Sequence, residues 1–330
     1  MTAAVSRARL RGVKEAERLL RMLEARERLP ATNERVDIYG ALAWLDVRVI
    51  FKPLEGLVGA YIRGETPGVM ISTRRPPSVQ RFTAAHEFGH ALLGHAPSLD
   101  SPGVLSDAAS GRPRPLISGF ASYLQEVEAD AFAGAFLLPA WLVTRHARRQ
   151  GWTRAMLRTA PPAYQLSLRC GASLQAVVWA LERHHVISAA DRDALLRIKP
   201  REIKSDLGHR KPDADAHNDA WLLSERDVGL ELEVAVGDTL SIVDGGDARA
   251  VRSSLAEVLE PLPPVGGSGC SARFLVARGG ATSISMQSNA LPPAGGAIGI
   301  IAVDRERGLS RANRARLAVK SPEAGLGRAA

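Results

Sequence analysis

Residues 80–95, QRFTAAHEFGHALLGH, constrain the fold of this chain more than any other stretch. They place His86, Glu87 and His90 in the order H-E-x-x-H, inside a run with the apolar spacing of a helix. Side chains four residues apart lie one above the other on a helix, so both imidazoles can bind one metal ion. The pattern predicts a helix that carries half of a metal site, although a histidine pair on an ordinary core helix has the same spacing.

The residue types in this motif suit zinc. Zn²⁺ binds imidazole and carboxylate ligands in a tetrahedral site, and a catalytic zinc keeps one position for water. Glu87 follows the first histidine, so its carboxylate can hydrogen-bond that water and accept its proton. We predict Zn²⁺ as the cofactor, with Mn²⁺ as an alternative activating metal, and Glu87 as the catalytic base.

A zinc site needs a third protein ligand, and His95 is one candidate. It comes five residues after His90. The metzincin pattern H-E-x-x-H-x-x-G-x-x-H requires a histidine six residues after the second one, with a glycine midway. His95 and Gly94 do not fit that spacing.

The other candidate lies in residues 125–139, QEVEADAFAGAFLLP, a second helix-compatible segment. Glu126 and Asp130 are four residues apart and share a helix face, whereas Glu128 points elsewhere. One carboxylate on that face can bind the metal and the other can orient a ligand histidine through its free ring nitrogen. We predict Glu126 as the third ligand and Asp130 as the orienting residue.

The motifs R-F-T-x-A-H-E-x-G-H-x-L-L-x-H and E-x-E-A-D-x-F-A-x-x-x-L-L-P together resemble those of the ImmA/IrrE family of metallopeptidases, over roughly residues 10–190. In that family the first motif carries two histidine ligands and the catalytic glutamate, and the second carries the glutamate ligand. The resemblance implies a zinc-dependent endopeptidase that cleaves a regulatory protein, often a helix-turn-helix repressor of a mobile element or a stress response.

The composition of the 330-residue chain, 45% apolar and 24% charged, is that of a soluble globular protein of two or three domains. No apolar run approaches the roughly 20 residues that span a bilayer, and the N-terminus lacks the pattern of a secretory signal. Cys170 and Cys270 lie 100 residues apart, which argues against a disulfide scaffold or a cysteine zinc site. We predict a cytoplasmic protein that does not contact a membrane.

We predict an α+β fold with a mainly helical zincin-like peptidase domain that includes a small antiparallel sheet. Residues 6–28 form an amphipathic helix whose apolar side includes Leu10, Val13, Ala16, Leu20, Met22 and Leu23. Residues 33–45 form a helix capped near Thr32 or Asn33. Ser78 is the predicted N-cap of the H-E-x-x-H helix. Short strands are predicted at residues 47–51, 58–62 and 69–72, with residues 69–73 at the sheet edge that receives an extended peptide.

The predicted domains follow in order along the chain. They are a zinc metallopeptidase domain at 1–150, a helix-turn-helix-like module at 151–200, a linker at 201–220, an immunoglobulin-like β-sandwich at 221–306 and a disordered basic tail at 307–330. Residues 96–115, rich in Pro, Ser, Gly and Asp, are predicted as a loop that either serves as a lid or is a plain surface connection.

Two other functions remain open. Residues 163–169 and 173–182, joined at Gly171 with Ser173 as N-cap, have helix-turn-helix spacing, and the net charge of +8 suits an acidic partner. The chain could therefore be a transcriptional regulator or adaptor with a structural metal site. The second helix is mostly apolar and the arginines form separate clusters, so direct DNA binding is the weaker hypothesis.

The C-terminal strand pattern resembles that of chagasin-type inhibitors of cysteine proteases, which implies an immunoglobulin-like fold. Runs at 230–236, 239–243, 272–277, 282–286 and 297–303 carry the resemblance. The N-P-T-T-G-Y type loop of those inhibitors is absent, and DGGDARAVR stands in its place. A binding or structural role is therefore predicted for this region, with inhibition or docking of a protease as a further alternative.

Overall fold

The computed structural model describes residues 3–25, 34–62, 64–65, 67–95, 99–100, 119–207, 218–243, 247–250, 257–263, 270–287 and 295–303. These residues form an α+β protein with several helices and three small mixed sheets. The chain divides into two compact units: the first includes residues 1–25 and 36–137, and the second includes residues 26–35 and 138–305. The domain limits proposed from sequence stay predictions.

The first unit contains four helices and one sheet among its described residues. The helices are α1 (Ala3–Met22), α2 (Ile38–Trp44), α3 (Pro77–Leu93) and α4 (Gly119–Leu137), and the strands are β1 (Arg48–Lys52), β2 (Gly59–Ile62), β3 (Gly68–Ser72) and β4 (Leu99–Asp100). The three predicted strands are confirmed within one or two residues. The predicted loop at 96–115 lies outside the described residues except for β4, which pairs with β2.

Helix α1 packs on α4 through small side chains, and its predicted apolar face is partly confirmed: Ala16 and Leu20 are buried, but Leu10 and Met22 are not. Leu10 and Met22 are 53% and 41% exposed, whereas Ala8, Gly12 and Ala16 are buried. A Cβ atom at Gly12 would overlap the backbone carbonyl of Glu128 on α4. The backbones of α1 and α4 therefore approach so closely that the contact face must consist of small residues.

The sheet has the strand order β1-β3-β2-β4, which corrects two predictions. It is mixed, because β1 and β3 pair in parallel while β2 pairs antiparallel with both β3 and β4. The chain reverses twice between β1 and β3, so these two strands run in the same direction. Strand β3 is also central and mostly buried, since β1 and β2 both pair with it, and it is not the predicted edge strand.

Helices α3 and α4 pack through aromatic residues and one glycine. The rings of Phe88 and Phe132 meet edge to face, with centroids 5.9 Å apart, and both side chains are fully buried. A Cβ at Gly89 would lie 3.2 Å from the Cα of Ala129, so this glycine allows the two helices to approach closely. The buried contact between the two phenylalanine rings and the close backbone approach at Gly89 together hold α3 against α4 at the level of the H-E-x-x-H motif.

Two predicted helix caps were wrong. Helix α2 begins after Asp37, whose Oδ1 accepts a hydrogen bond of 2.9 Å from the Gly40 amide. Thr32 and Asn33 lie outside the described residues. Helix α3 begins one residue before Ser78, with Pro76 at the N-cap and Pro77 at the first helical position. An N–H at that position has no acceptor within the helix, so proline, which lacks one, loses no hydrogen bond there.

One helical stretch among the described residues, Tyr123–Gln150, has the length and hydropathy of a membrane span, although charged residues interrupt its apolar sequence. It is 61% buried within the protein. Its first part is α4, which packs against α1 and α3 and carries acidic side chains toward them. We therefore interpret α4 as a core helix.

The second unit contains helices and two sheets. The helices are α5 (Ala140–Gln150), α6 (Arg154–Leu157), α7 (Ala160–Cys170), α8 (Leu174–Arg183), α9 (Ala189–Arg197) and α10 (Pro200–Asp206). The strands are β5 (Ala220–Leu223), β6 (Glu231–Ala235), β7 (Thr239–Val243), β8 (Asp247–Ala250), β9 (Leu259–Leu262), β10 (Cys270–Val276), β11 (Gly280–Gln287) and β12 (Gly295–Val303).

The predicted pair of helices joined at Gly171 is present as α7 and α8. Gly171 caps α7 with φ +63°, and the Ser173 hydroxyl accepts a hydrogen bond from the Ala176 amide at the start of α8. Val177 and Val178 on α8 are fully buried, so this helix uses its apolar face for packing. DNA binding by this module stays a prediction.

The β region is joined to the helices of the same unit by buried polar contacts. Arg169 on α7 forms an ion pair of 2.9 Å with Asp227, and both side chains are almost fully buried. Residues 201–206 of the predicted linker belong to α10, where Ile203 is buried, and the linker limits stay a prediction. Much of the remainder lies outside the described residues.

The described strands of the β region form two four-stranded sheets, ordered β5-β7-β10-β9 and β6-β12-β11-β8. Both sheets are mixed, because β5 pairs in parallel with β7 and β6 pairs in parallel with β12. An immunoglobulin-like sandwich stays a prediction. The predicted disordered tail at 307–330 lies outside the described residues.

Candidate metal centre

Helices α3 and α4 bring the three predicted ligands together. One ligand atom from each of His86, His90 and Glu126 lies within 4.8 Å of the others, and all three residues are buried. The two Nε2 atoms are 3.0 Å apart. His86 Nε2 lies 3.3 Å from Glu126 Oε2, and His90 Nε2 lies 3.5 Å from Glu126 Oε1. Two imidazole nitrogens and one carboxylate therefore converge on a single point.

Asp130 occupies the position expected for a residue that orients a ligand histidine. Its Oδ1 lies 2.8 Å from His86 Nδ1, on the side of the ring opposite the converging atoms. A neutral imidazole carries a single N–H, and a carboxylate can only accept. The contact therefore places the proton of His86 on Nδ1 and leaves an unprotonated lone pair on Nε2.

The donor set fits a divalent cation. Two neutral imidazole nitrogens and one carboxylate oxygen are the ligands of a common class of catalytic zinc site. Without a cation, lone pairs and a negative charge would face one another at 3.0–3.5 Å in a buried position, which is costly. The residues present are consistent with the binding of Zn²⁺ or a chemically similar ion.

The electrostatics of Glu126 favour its charged form. Burial alone would raise the pKa of this carboxyl. The neighbouring His86 and His90 side chains outweigh burial and hold the pKa of Glu126 well below its usual range. Glu126 is therefore a carboxylate, the form that binds a metal.

Glu87 lies on α3 between the two histidines and is fully buried. Strand β2 passes close to it at Gly59, where an added Cβ would lie 3.2 Å from Glu87 Oε1 and would overlap the Thr83 methyl group. The absence of a side chain at Gly59 thus lets the sheet approach the acid. Sequence reasoning did not identify Gly59, because the contact joins residues far apart in the chain.

A second set of contacts reaches His90 from its other side. His95 Nδ1 lies 2.9 Å from His90 Nδ1, and His95 Nε2 lies 2.8 Å from Glu128 Oε2. Arg11 on α1 donates to the same Glu128 oxygen at 2.5 Å and to the Leu93 carbonyl at 3.1 Å. Glu128 does point away from the three converging atoms, as the helix geometry predicted, but it contacts the site through His95.

The pKa of His95 is lowered. Burial is the main cause, and it outweighs the hydrogen bond with Glu128, which acts in the opposite direction. A lowered pKa corresponds to a neutral imidazole, with one ring nitrogen donating and the other accepting. His95 can therefore donate to Glu128 from one ring nitrogen and accept from His90 at the other.

Comparison with known proteins agrees with this site. Residues 44–182 match the peptidase M78 family model, described as the IrrE N-terminal-like domain, and this range includes both metal-site helices. Among curated proteins, none matches the chain. Helix α1 and all strands of the second unit lie outside the matched range. Residues 44–182 of this chain are thus similar to the IrrE N-terminal-like domain of the peptidase M78 family.

Proposed function

We propose that the chain is a zinc-dependent endopeptidase. The observation that carries this proposal is the convergence of His86, His90 and Glu126 within 4.8 Å, in a domain that matches a peptidase family. These three residues would hold Zn²⁺, which when bound supplies a Lewis acid that polarises a peptide carbonyl and makes water more acidic.

Glu87 is the proposed proton carrier. Its carboxylate takes one proton from the attacking water, whose oxygen forms a bond to the carbonyl carbon of the substrate. As the carbon–nitrogen bond breaks, Glu87 returns that proton to the leaving amine. Its neighbours on α3, His86 and His90, are held by Asp130 and His95 through their other ring nitrogens, so the acid and both ligands share one rigid element.

The proposed substrate is a regulatory protein, in particular a helix-turn-helix repressor of a stress response or a mobile element, in the cytoplasm. Support for this class comes from the resemblance of the two site motifs to those of ImmA/IrrE peptidases. The match of residues 44–182 to the IrrE N-terminal-like domain supports the peptidase part of the proposal.

The proposed function can be tested with purified full-length protein and purified helix-turn-helix repressors encoded beside its gene. We expect cleavage in the presence of Zn²⁺ or Mn²⁺ and none after treatment with a chelator. Glu87→Gln should keep metal binding and lose cleavage, because an amide cannot accept the proton. His90→Ala should lose both.

A matched control is Glu65→Gln, which makes the same chemical change at an exposed position and should leave cleavage unchanged. Cleavage by Glu87→Gln at the rate of the Glu65→Gln control would exclude Glu87 as the base. Cleavage by His90→Ala in the presence of chelator would exclude the metal mechanism.

A further inference from the structure

We propose that His95, Glu128 and Arg11 form a positioning chain that fixes the proton and the orientation of the His90 ring. The proposal rests on the metal site of the proposed function. It assigns a role to a residue of α1, a helix that lies outside the range matched by the family model.

The contacts form one continuous path among the described residues of the first unit. From His90 Nδ1 the path runs 2.9 Å to His95 Nδ1, then from His95 Nε2 2.8 Å to Glu128 Oε2. That oxygen also accepts from Arg11 Nη1. His90, His95 and Glu128 are each less than a tenth exposed. Three helices therefore contribute to the path, since Arg11 lies on α1, His90 on α3 and Glu128 on α4.

The turn at the end of α3 directs His95 back onto the helix. Gly94 adopts the left-handed conformation with φ +70°, and the His95 amide donates to the His90 carbonyl at 3.0 Å. Arg11 also donates to the Leu93 carbonyl, so the same arginine holds both the helix end and Glu128. The imidazole of His95 thus has a fixed position against His90.

Hydrogen-bond chemistry gives this path a direction. The Glu128 carboxylate paired with Arg11 can only accept, so His95 must donate from Nε2. His95 Nδ1 then carries the lone pair, and His90 Nδ1 must donate to it. His90 Nε2 is left unprotonated and faces Glu126. In the reverse direction, His95 Nε2 and Glu128 would meet as two acceptors and His90 Nε2 would carry a proton that blocks a metal.

The two ligand histidines are therefore held by different means. His86 Nδ1 lies 2.8 Å from the carboxylate of Asp130, whereas His90 reaches the carboxylate of Glu128 through a second imidazole. In both cases an acidic residue of α4 sets the tautomer of a histidine on α3. Removal of the residue that holds a metal-binding histidine in this way typically weakens metal affinity about 10–100-fold.

The test is the zinc affinity of the full-length protein, measured by competition with a chromophoric chelator. We expect His95→Phe to bind zinc about 10–100-fold more weakly than the unmodified protein. His95→Gln should recover most of that loss, because its amide oxygen accepts from His90 and its amide nitrogen donates to Glu128. Co²⁺ absorption spectra should change in His95→Phe and be close to the unmodified spectrum in His95→Gln.

Arginine variants on α1 provide a matched pair. Arg11→Met removes the pairing with Glu128, and Arg7→Met makes the same change at an exposed position one turn earlier. We expect weaker zinc binding in Arg11→Met than in Arg7→Met. The loss is at most about fivefold, because the Arg11 side chain is 56% exposed and exposed ion pairs are weak.

Unchanged zinc affinity in a folded His95→Phe protein would overturn the positioning role while leaving the proposed function intact. If His95→Phe does not fold, Glu128→Met decides the question, since it removes the acceptor and should weaken zinc binding by about tenfold. Affinity equal to that of the unmodified protein would then reject the proposal. Absence of zinc binding by the unmodified protein would overturn both this role and the metal site itself.

Discussion

His146 on α5 should make the stability of the second unit depend on pH. Its side chain is 2% exposed, and its Nε2 donates to the Glu34 carbonyl at 2.8 Å. Burial lowers the pKa of His146 to about 4, and the nearby charges of Arg35 and Arg169 act in the same direction. The folded protein therefore holds this imidazole in its neutral form at physiological pH.

The sign and size of the effect follow from the difference between folded and unfolded pKa values. The unfolded pKa is about 6.5, so protonation favours the unfolded state, and stability is lost as pH falls from about 6.5 toward 4. At pH 5 the loss from this residue is about 2 kcal/mol relative to neutral pH, and below pH 4 it reaches a limit of about 3 kcal/mol.

Urea unfolding of the unmodified protein and of His146→Gln at pH 7 and pH 5 measures this effect. Glutamine does not titrate, and its terminal amide nitrogen can donate to the Glu34 carbonyl in place of Nε2. We expect the unmodified protein to lose about 2 kcal/mol more between the two pH values than His146→Gln does. An equal loss in both proteins would show that His146 is not held neutral by burial and would refute the reasoning.

Two further substitutions test the packing and the site. Gly12→Ala should destabilise the first unit by about 1–3 kcal/mol despite the better helix propensity of alanine, because its Cβ would overlap the Glu128 carbonyl. Unchanged or increased stability in thermal unfolding would contradict the close approach of α1 and α4. Asp130→Leu should weaken zinc binding about 10–100-fold, whereas Asp130→Asn, which keeps an acceptor oxygen for His86, should weaken it less. Equal zinc affinities of the two variants in a chelator competition would contradict the orienting role of Asp130.

The local parts of the site were predictable from sequence. The spacing of His86 and His90 places both on one helix face whatever the rest of the fold does, and Glu126 and Asp130 follow the same rule on α4. Both pairs lie on one face of their helices as predicted, and the two faces meet. The pairing of these faces is not visible in either segment alone. It was predicted from the need for a third ligand together with the matching second segment, and the resemblance of the combined motifs implied it too.

The parts that depend on distant contacts were not predictable. Hydrophobicity alone suggested Leu10 and Met22 as buried residues of α1, but the close approach of α4 requires small residues on that face. The central position of β3 is a property of strand pairing, which short alternating segments do not encode. The contact of Arg11 with Glu128 joins residues 117 apart, so no spacing rule could indicate it.

The most direct test of the account is X-ray absorption spectroscopy of the zinc-loaded protein, with the zinc content measured on the same sample. We predict one zinc ion per chain with nitrogen and oxygen ligands at about 2.0–2.1 Å, including two imidazoles, and loss of the ion in His90→Ala. Retention of stoichiometric zinc by a folded His90→Ala protein, or a sulfur ligand from Cys170 or Cys270, would contradict the assignment of His86, His90 and Glu126 as the metal site.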